Sequence, residues 1–99
     1  MTFAVLAEPN RRRLVELLRD GERPVGELVD GLGLSQPAVS KHLRVLREAG
    51  LVEVRPSAQR RLYRLRPEPL MELDEWIGSF RRLWQDSLDR LDAHLEENP

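Results

Sequence analysis

Apolar positions along this chain follow a helical period, then an alternating one, then a helical one again. Phe3, Val5, Leu6 and Ala7 form a short apolar lead-in, and Glu8-Pro9-Asn10 reads as a helix start, since proline fits a first turn. Leu14, Leu17 and Leu18 supply the buried stripe of that helix, which fades near Asp20-Gly21. After Pro24, Val25 to Asp30 predicts a short helix burying Leu28 and Val29, and Gly31-Leu32-Gly33-Leu34 breaks the chain before Ser35. From Ser35 to Gly50 the pattern is that of a capped helix. Ser35 can accept a backbone N–H, Pro37 sits in the first turn, and Gly50 can take the left-handed conformation that ends it. At about 100° per residue Val39, Leu43 and Leu46 fall on one face, with Pro37, Ser40, Lys41 and Arg44 pointing away.

Beyond Gly50 the period becomes two, with Leu51, Val52 and Val54 before Pro56, then Leu62, Tyr63 and Leu65 before Pro67. This predicts a two-stranded hairpin whose tip is Ser57-Ala58-Gln59-Arg60, with Arg55, Arg61 and Arg64 beside it. From about Glu68 a helical pattern resumes: Leu70, Leu73, Ile77, Phe80, Trp84, Leu88, Leu91 and Leu95 fall within an arc of roughly 80°. The spacing predicts one long helix running nearly to the C-terminus. Such a seam is narrow, suits helix pairing, and is longer than a small domain can cover. The expected solution is a two-fold dimer in which the lead-in helps cover the seam.

Two short helices joined by a glycine-containing turn, the second cationic and followed by a hairpin, match a helix-turn-helix with a wing. The expected fold class is therefore α+β, mainly α. Residues 1–66 would form the winged helix-turn-helix and residues 67–99 the C-terminal dimerisation helix.

The net charge of −1 conceals an asymmetry. Residues 1–66 carry 13 Lys or Arg against 8 Asp or Glu, whereas residues 67–99 carry 3 against 9. Between Ser35 and Arg66 the balance is 8 against 2, so a near-neutral total is no argument against an anionic partner. There is no cysteine, which removes disulfides and thiolate metal sites. No stretch approaches the roughly 20 apolar residues that span a bilayer, and no signal-like start is present, so a cytoplasmic location and no membrane partner are expected.

These features nominate contacts to double-stranded DNA. Gln36, Pro37, Ser40 and Lys41 lie at the leading end of the cationic helix, where residues meet base edges first. Arg44 and Arg47 follow as phosphate anchors, and Arg60 and Arg61 of the wing as minor-groove contacts. Arg11, Arg12 and Arg13 suggest either a backbone clamp or pairing with an acidic partner helix. His42 reads as a packed histidine bonded to backbone, or else a phosphate donor. Phe3, Leu73, Ile77, Phe80, Trp84, Leu88, Leu91 and Leu95 are the expected dimer interface. Trp76, Phe80, Leu83 and Trp84 read as core in preference to a ligand pocket. Asp92 and His94, two apart on a helix, face different sides and would need a partner chain to share a metal. No nucleophile and base stand at a spacing that suggests catalysis, so neither an enzyme nor a cofactor is expected.

The ordered set Leu6-Ala7-Glu8-Pro9-Asn10-Arg11-Arg12-Arg13, Val25-Gly26-Glu27-Leu28, Leu34 through Leu46, Ala49-Gly50-Leu51-Val52 and Arg61-Leu62-Tyr63-Arg64-Leu65 resembles the ArsR family of bacterial winged helix-turn-helix regulators. The resemblance covers most of the chain and is closest to the cysteine-free members that are not metal sensors. It implies a homodimeric repressor binding palindromic operator DNA, with terminal helices at the dimer interface, and leaves any small-molecule effector unidentified. The family's wing often turns on glycine, where this chain has Ala58 or Gln59, so another turn geometry or a mobile wing is expected. The competing expectation is a winged-helix module that binds another protein and not an operator.

Overall fold

The computed structural model describes residues 2–97. Positions 1, 98 and 99 of the two expected segments lie outside them. The chain runs α1 (Thr2–Leu6), α2 (Pro9–Leu17), β1 (Arg23–Pro24), α3 (Val25–Leu32), α4 (Gln36–Glu48), β2 (Val52–Ser57), β3 (Arg60–Leu65), α5 (Glu68–Gly78) and α6 (Arg81–Glu97). It is a mainly helical winged helix-turn-helix fold, as the periodicities predict.

Local chemistry sets most boundaries. Glu8 caps α2: the Arg11 backbone N–H donates to its Oε2 at 2.9 Å, and Pro9 occupies the first turn. Ser35 caps α4 in the same way, its Oγ accepting from the Ala38 N–H at 3.3 Å. Gly33 and Gly50 end α3 and α4 in the left-handed region, at φ 70° and 76°. The glycine break expected at residues 31–34 is narrower than predicted, because α3 continues through Gly31 to Leu32. A Cβ on Gly31 would stand 2.8 Å from Leu17 Cδ1, so α2 and α3 approach closely there.

Arginines of the N-terminal half cap helix ends, a role absent from the sequence expectations. Arg11 Nε donates to the Val5 carbonyl at 2.7 Å, closing α1, and Arg23 Nε donates to the Leu17 carbonyl at 2.7 Å, closing α2. Arg13 Nη2 reaches the Gly31 carbonyl in the last turn of α3 at 3.3 Å. Cations satisfy orphan carbonyls at the negative ends of helices. Neither a clamp on DNA nor an acidic partner helix is needed to account for Arg11 and Arg13.

The core gathers Leu14 and Leu18 of the α2 region, Leu28 and Leu32 of α3, and Val39, Leu43 and Leu46 of α4, closed by Leu51, Val52 and Tyr63 from the base of the wing. Val29 is only partly buried, and Leu32 takes the second core position of α3. The wing is one strand larger than expected. β1 pairs antiparallel with β3 at Arg23↔Tyr63 and Pro24↔Leu62, giving the order β1-β3-β2. β2 and β3 pair from Val52↔Leu65 to Ser57↔Arg60, which leaves a two-residue turn of Ala58 and Gln59. Ala58 takes φ 56°, so the turn does use a left-handed residue, and it uses alanine.

The single C-terminal helix is the other correction. α5 ends at Gly78, and Ser79 and Phe80 tighten into a short-range turn before α6 begins. There the Ser79 N–H bonds Trp76 and Glu75 carbonyls at 3.2 Å, the Phe80 N–H bonds Ile77 at 2.9 Å, and Ser79 Oγ bonds the Trp76 carbonyl at 2.6 Å. Hydroxyl bonding to a preceding carbonyl competes with the regular helical ladder. Residues 81–95 are exposed throughout. The radius of gyration is 18.6 Å, against about 13 Å for a compact chain of 100 residues. The excess comes from C-terminal helices that extend past the core built by α2, α3, α4 and the base of the wing.

Candidate nucleic-acid interface

The exposed side of α4 divides into two stripes. At about 100° per residue Gln36, Ser40, Arg44 and Arg47 span an arc of about 80° flanking the core face, while Pro37 and Lys41 stand on the crest opposite the core. The flanking stripe borders the wing. Gln36 and Ser40 share a cleft with Tyr63 and with Arg60 and Arg61 of the wing tip. Arg44 and Arg47 line a second cleft with Val52, Val54 and Arg66 at the wing base. The wing therefore borders α4 at both ends, its tip beside Gln36 and Ser40 and its base beside Arg44 and Arg47. All eight nominated residues, Gln36, Pro37, Ser40, Lys41, Arg44, Arg47, Arg60 and Arg61, are exposed.

Strand register decides where the wing arginines go. Residues paired across β2 and β3 share a face, so Pro56 and Arg61 lie on the face of Val54 and Tyr63, turned toward α4. Glu53, Arg55 and Arg64 lie on the other face, with Ser57 and Arg60. There Arg64 bonds Glu53, and Arg66 Nε lies 3.9 Å from Glu53 and 3.7 Å from Glu68. Arg55 reaches across β3 to Glu22, donating Nε and Nη2 to the two carboxylate oxygens at 2.7 and 2.6 Å. This bidentate bond holds the Glu22 carboxyl below the ordinary carboxylate range and raises the Arg55 guanidinium. The broad positive finger expected from composition is thus confined to its tip.

Arg44 pairs with Glu48 one turn on, at 3.1 Å. Lys41, Arg47, Arg60 and Arg61 make no ion pair or side-chain hydrogen bond among the described residues. Four unpaired cations thus stand along α4 and at the wing tip, with Arg60 and Arg61 sharing with Gln36 and Ser40 a cleft that Glu27 and Asp30 also line. That arrangement can hold a polyanion while offering donors and acceptors to it.

His42, on the far flank of α4, is half-buried with Nδ1 3.7 Å from Glu8 Oε2. It packs, as the first of its two expected roles requires, but against a carboxylate and not a backbone carbonyl. Trp76, Phe80, Leu83 and Trp84 are exposed in the single chain and so are not its core. Phe3, Trp76 and Phe80 form an edge-to-face ladder with ring centroids 5.1 and 4.9 Å apart. Among the described residues no group of three His, Cys, Asp or Glu is placed to hold a metal ion, and no helix is long and apolar enough to cross a membrane.

Comparison with known proteins places this geometry. The model of the bacterial regulatory protein arsR family matches residues 8–54, from the α2 cap to the middle of β2. Over 78 residues the chain is 50% identical to the HTH-type transcriptional regulator Rv2034 of Mycobacterium tuberculosis, covering 79% of this chain and 73% of that protein. The chain belongs to the ArsR family. Its fold matches the crystal structure of a possible transcriptional regulator for arsenical resistance, with a TM-score of 0.72, 49% identity and 92% of each chain covered. It also matches the transcriptional repressor BigR from Xylella fastidiosa, with a TM-score of 0.65, 37% identity, and 80% of this chain and 81% of that one covered. As an ArsR-family member it is a DNA-binding transcriptional regulator and not an enzyme.

Glu22 and Glu53 were missed in the sequence. Glu53 carried a signal: a two-residue turn at Ala58 and Gln59 sets the register that pairs it with Arg64. Glu22 carried none, because its approach to Arg55 depends on the unpredicted strand β1.

Proposed function

We propose that the protein is a homodimeric repressor that places two α4 helices in successive major grooves of a palindromic operator, about 34 Å apart, and so occludes a promoter. In this reading Gln36 hydrogen-bonds adenine, Lys41 reaches guanine O6 or N7, Pro37 meets a thymine methyl, and Ser40 adds a further base contact. Arg47 holds a phosphate, Arg44 does so on exchanging its pair with Glu48 for one, and Arg60 and Arg61 enter the minor groove. The observation that carries it is the row of cations without an ion pair, Lys41 and Arg47 along α4 and Arg60 and Arg61 in the cleft with Gln36 and Ser40, while the other wing arginines are neutralised.

Dimerisation falls to the segment from Pro67 onward together with α1. Phe3, Phe80 and Trp84 are 40 to 46% exposed, Leu88, Leu91 and Leu95 more so, and Leu73 and Ile77 are half-buried beneath them. Covering the exposed half of each such side chain is worth about 1 kcal/mol, and a second copy supplies a matching face. The protein acts on cytoplasmic DNA, with no membrane partner and no cofactor.

The test is duplex binding as a function of salt, using a duplex selected from a random pool by the protein itself. The expected result is binding whose log K falls with log salt, with a slope shallower by about 0.9 in Arg60→Ala and again in Arg61→Ala, since each removes one cation from the DNA. Absence of duplex binding at low salt, or slopes identical in the variants, would contradict the reading.

A further inference from the structure

Of the eight cations between Ser35 and Arg66, Lys41, Arg47, Arg60 and Arg61 are unpaired, Arg44 pairs with Glu48 within α4, and the arginines of the wing away from its tip each face a carboxylate. We propose that Glu22 and Glu53 are specificity determinants of DNA binding, which, with Glu68 beside Arg66, keep Arg55, Arg64 and Arg66 from gripping phosphate and leave the tip arginines as the wing's free cations. The inference rests on the DNA-contact reading above.

The physical reason lies in how the two kinds of binding differ. Binding to arbitrary sequence is supplied almost wholly by phosphate contacts, whereas binding to a preferred sequence adds base contacts from α4. Base contacts fix one placement of the duplex, against α4 and the wing tip. Arbitrary sequence allows many placements, and every further free arginine adds to them. Three arginines on the outer face and at the base of the wing would reward such placements without assisting Gln36, Ser40 or Lys41. Neutralising them lowers the sequence-independent term and spares the base-reading one.

Ion pairs this exposed contribute little to stability, typically about 0 to 1 kcal/mol, so folding alone is a weak account of them. Their geometry is nonetheless specific. Glu22 takes both of its oxygens to Arg55 from a position 33 residues away, across an intervening strand. Glu53 serves Arg64 directly across the ladder and Arg66 beside it.

The experiment measures affinity and salt slope for two duplexes of equal composition, one selected from a random pool by the wild-type protein and one scrambled. Glu22→Gln and Glu53→Gln are near-isosteric and exposed, and circular dichroism checks their folding. The expected result is tighter binding to the scrambled duplex, by about threefold per freed arginine near physiological salt, with a slope steeper by about 0.9 for Glu22→Gln, which frees Arg55, and for Glu53→Gln, which frees Arg64 while Arg66 still faces Glu68. Binding to the selected duplex should change less, so the ratio of affinities falls. Adding Arg55→Gln to Glu22→Gln should restore the wild-type values, which a general structural disturbance would not allow. An unchanged ratio, or equal gains on both duplexes, overturns this inference while the DNA-contact reading stands. No binding of either duplex by the wild-type protein overturns both.

Discussion

Glu8 joins the start of α2 to α4 through His42: the carboxylate oxygen that caps α2 lies 3.7 Å from His42 Nδ1 on α4. One side chain thus serves a helix start and the far flank of the helix proposed to read DNA. Glu8→Ala should cost about 1 kcal/mol, the usual worth of an N-cap, seen as a lower urea midpoint with an unchanged slope. Stability equal to that of the parent would show that water replaces the cap at no cost.

The wing turn offers a gain. Ala58 holds φ 56°, where a Cβ is disfavoured and glycine is not. Ala58→Gly should therefore raise stability by up to about 1 kcal/mol in chemical denaturation, offset in part by the greater freedom of glycine in the unfolded chain. A clear loss of stability would mean that the alanine methyl packs against something the turn depends on.

The bridge between Glu22 and Arg55 sets an acid limit. The Arg55 hydrogen bond keeps Glu22 ionised below the ordinary carboxylate range. A carboxylate with a depressed folded value contributes its stability at higher pH and loses it as pH falls through that value. The Glu22 side-chain carbon, followed by NMR, should titrate at lower pH in the parent than in Arg55→Gln. Identical midpoints would show the bridge to be unformed in solution.

Leu88 and Leu91 lie on the exposed apolar face of α6. Leu88→Glu with Leu91→Glu should yield a monomer in sedimentation velocity, with duplex affinity lost because two linked half-sites become one. A double variant that still sediments as a dimer would place the interface elsewhere.

What could be read in the sequence was chemistry local in the chain. Ser35, Pro37 and Gly50 bound α4 through contacts within a few residues, and the alternation of Val52, Val54, Tyr63 and Leu65 announces strands with one covered face. The misses are of another kind. β1 is two residues, one of them Pro24, and exists only because β3 offers it an edge. The turn at Ser79 and Phe80 leaves the spacing of Ile77, Phe80 and Trp84 undisturbed, so periodicity passes straight through it. The wing's charge was overestimated because composition counts Arg55 and Arg64 but not the carboxylates that the fold brings to them. At the candidate site, the exposure of the α4 residues and of Arg60 and Arg61 was legible, since each stands at a predictable face. The clefts that join them to the wing were not.

The central claim is that α4 reads base sequence through Gln36 and Lys41. Its most direct test is fluorescence anisotropy on the selected and scrambled duplexes with the parent and with Gln36→Ala plus Lys41→Ala. A bidentate bond to a base edge is worth about 1–3 kcal/mol of discrimination, so the double variant should bind the two duplexes almost alike while retaining most of its salt-dependent affinity. A double variant that discriminates as the parent does would contradict the account.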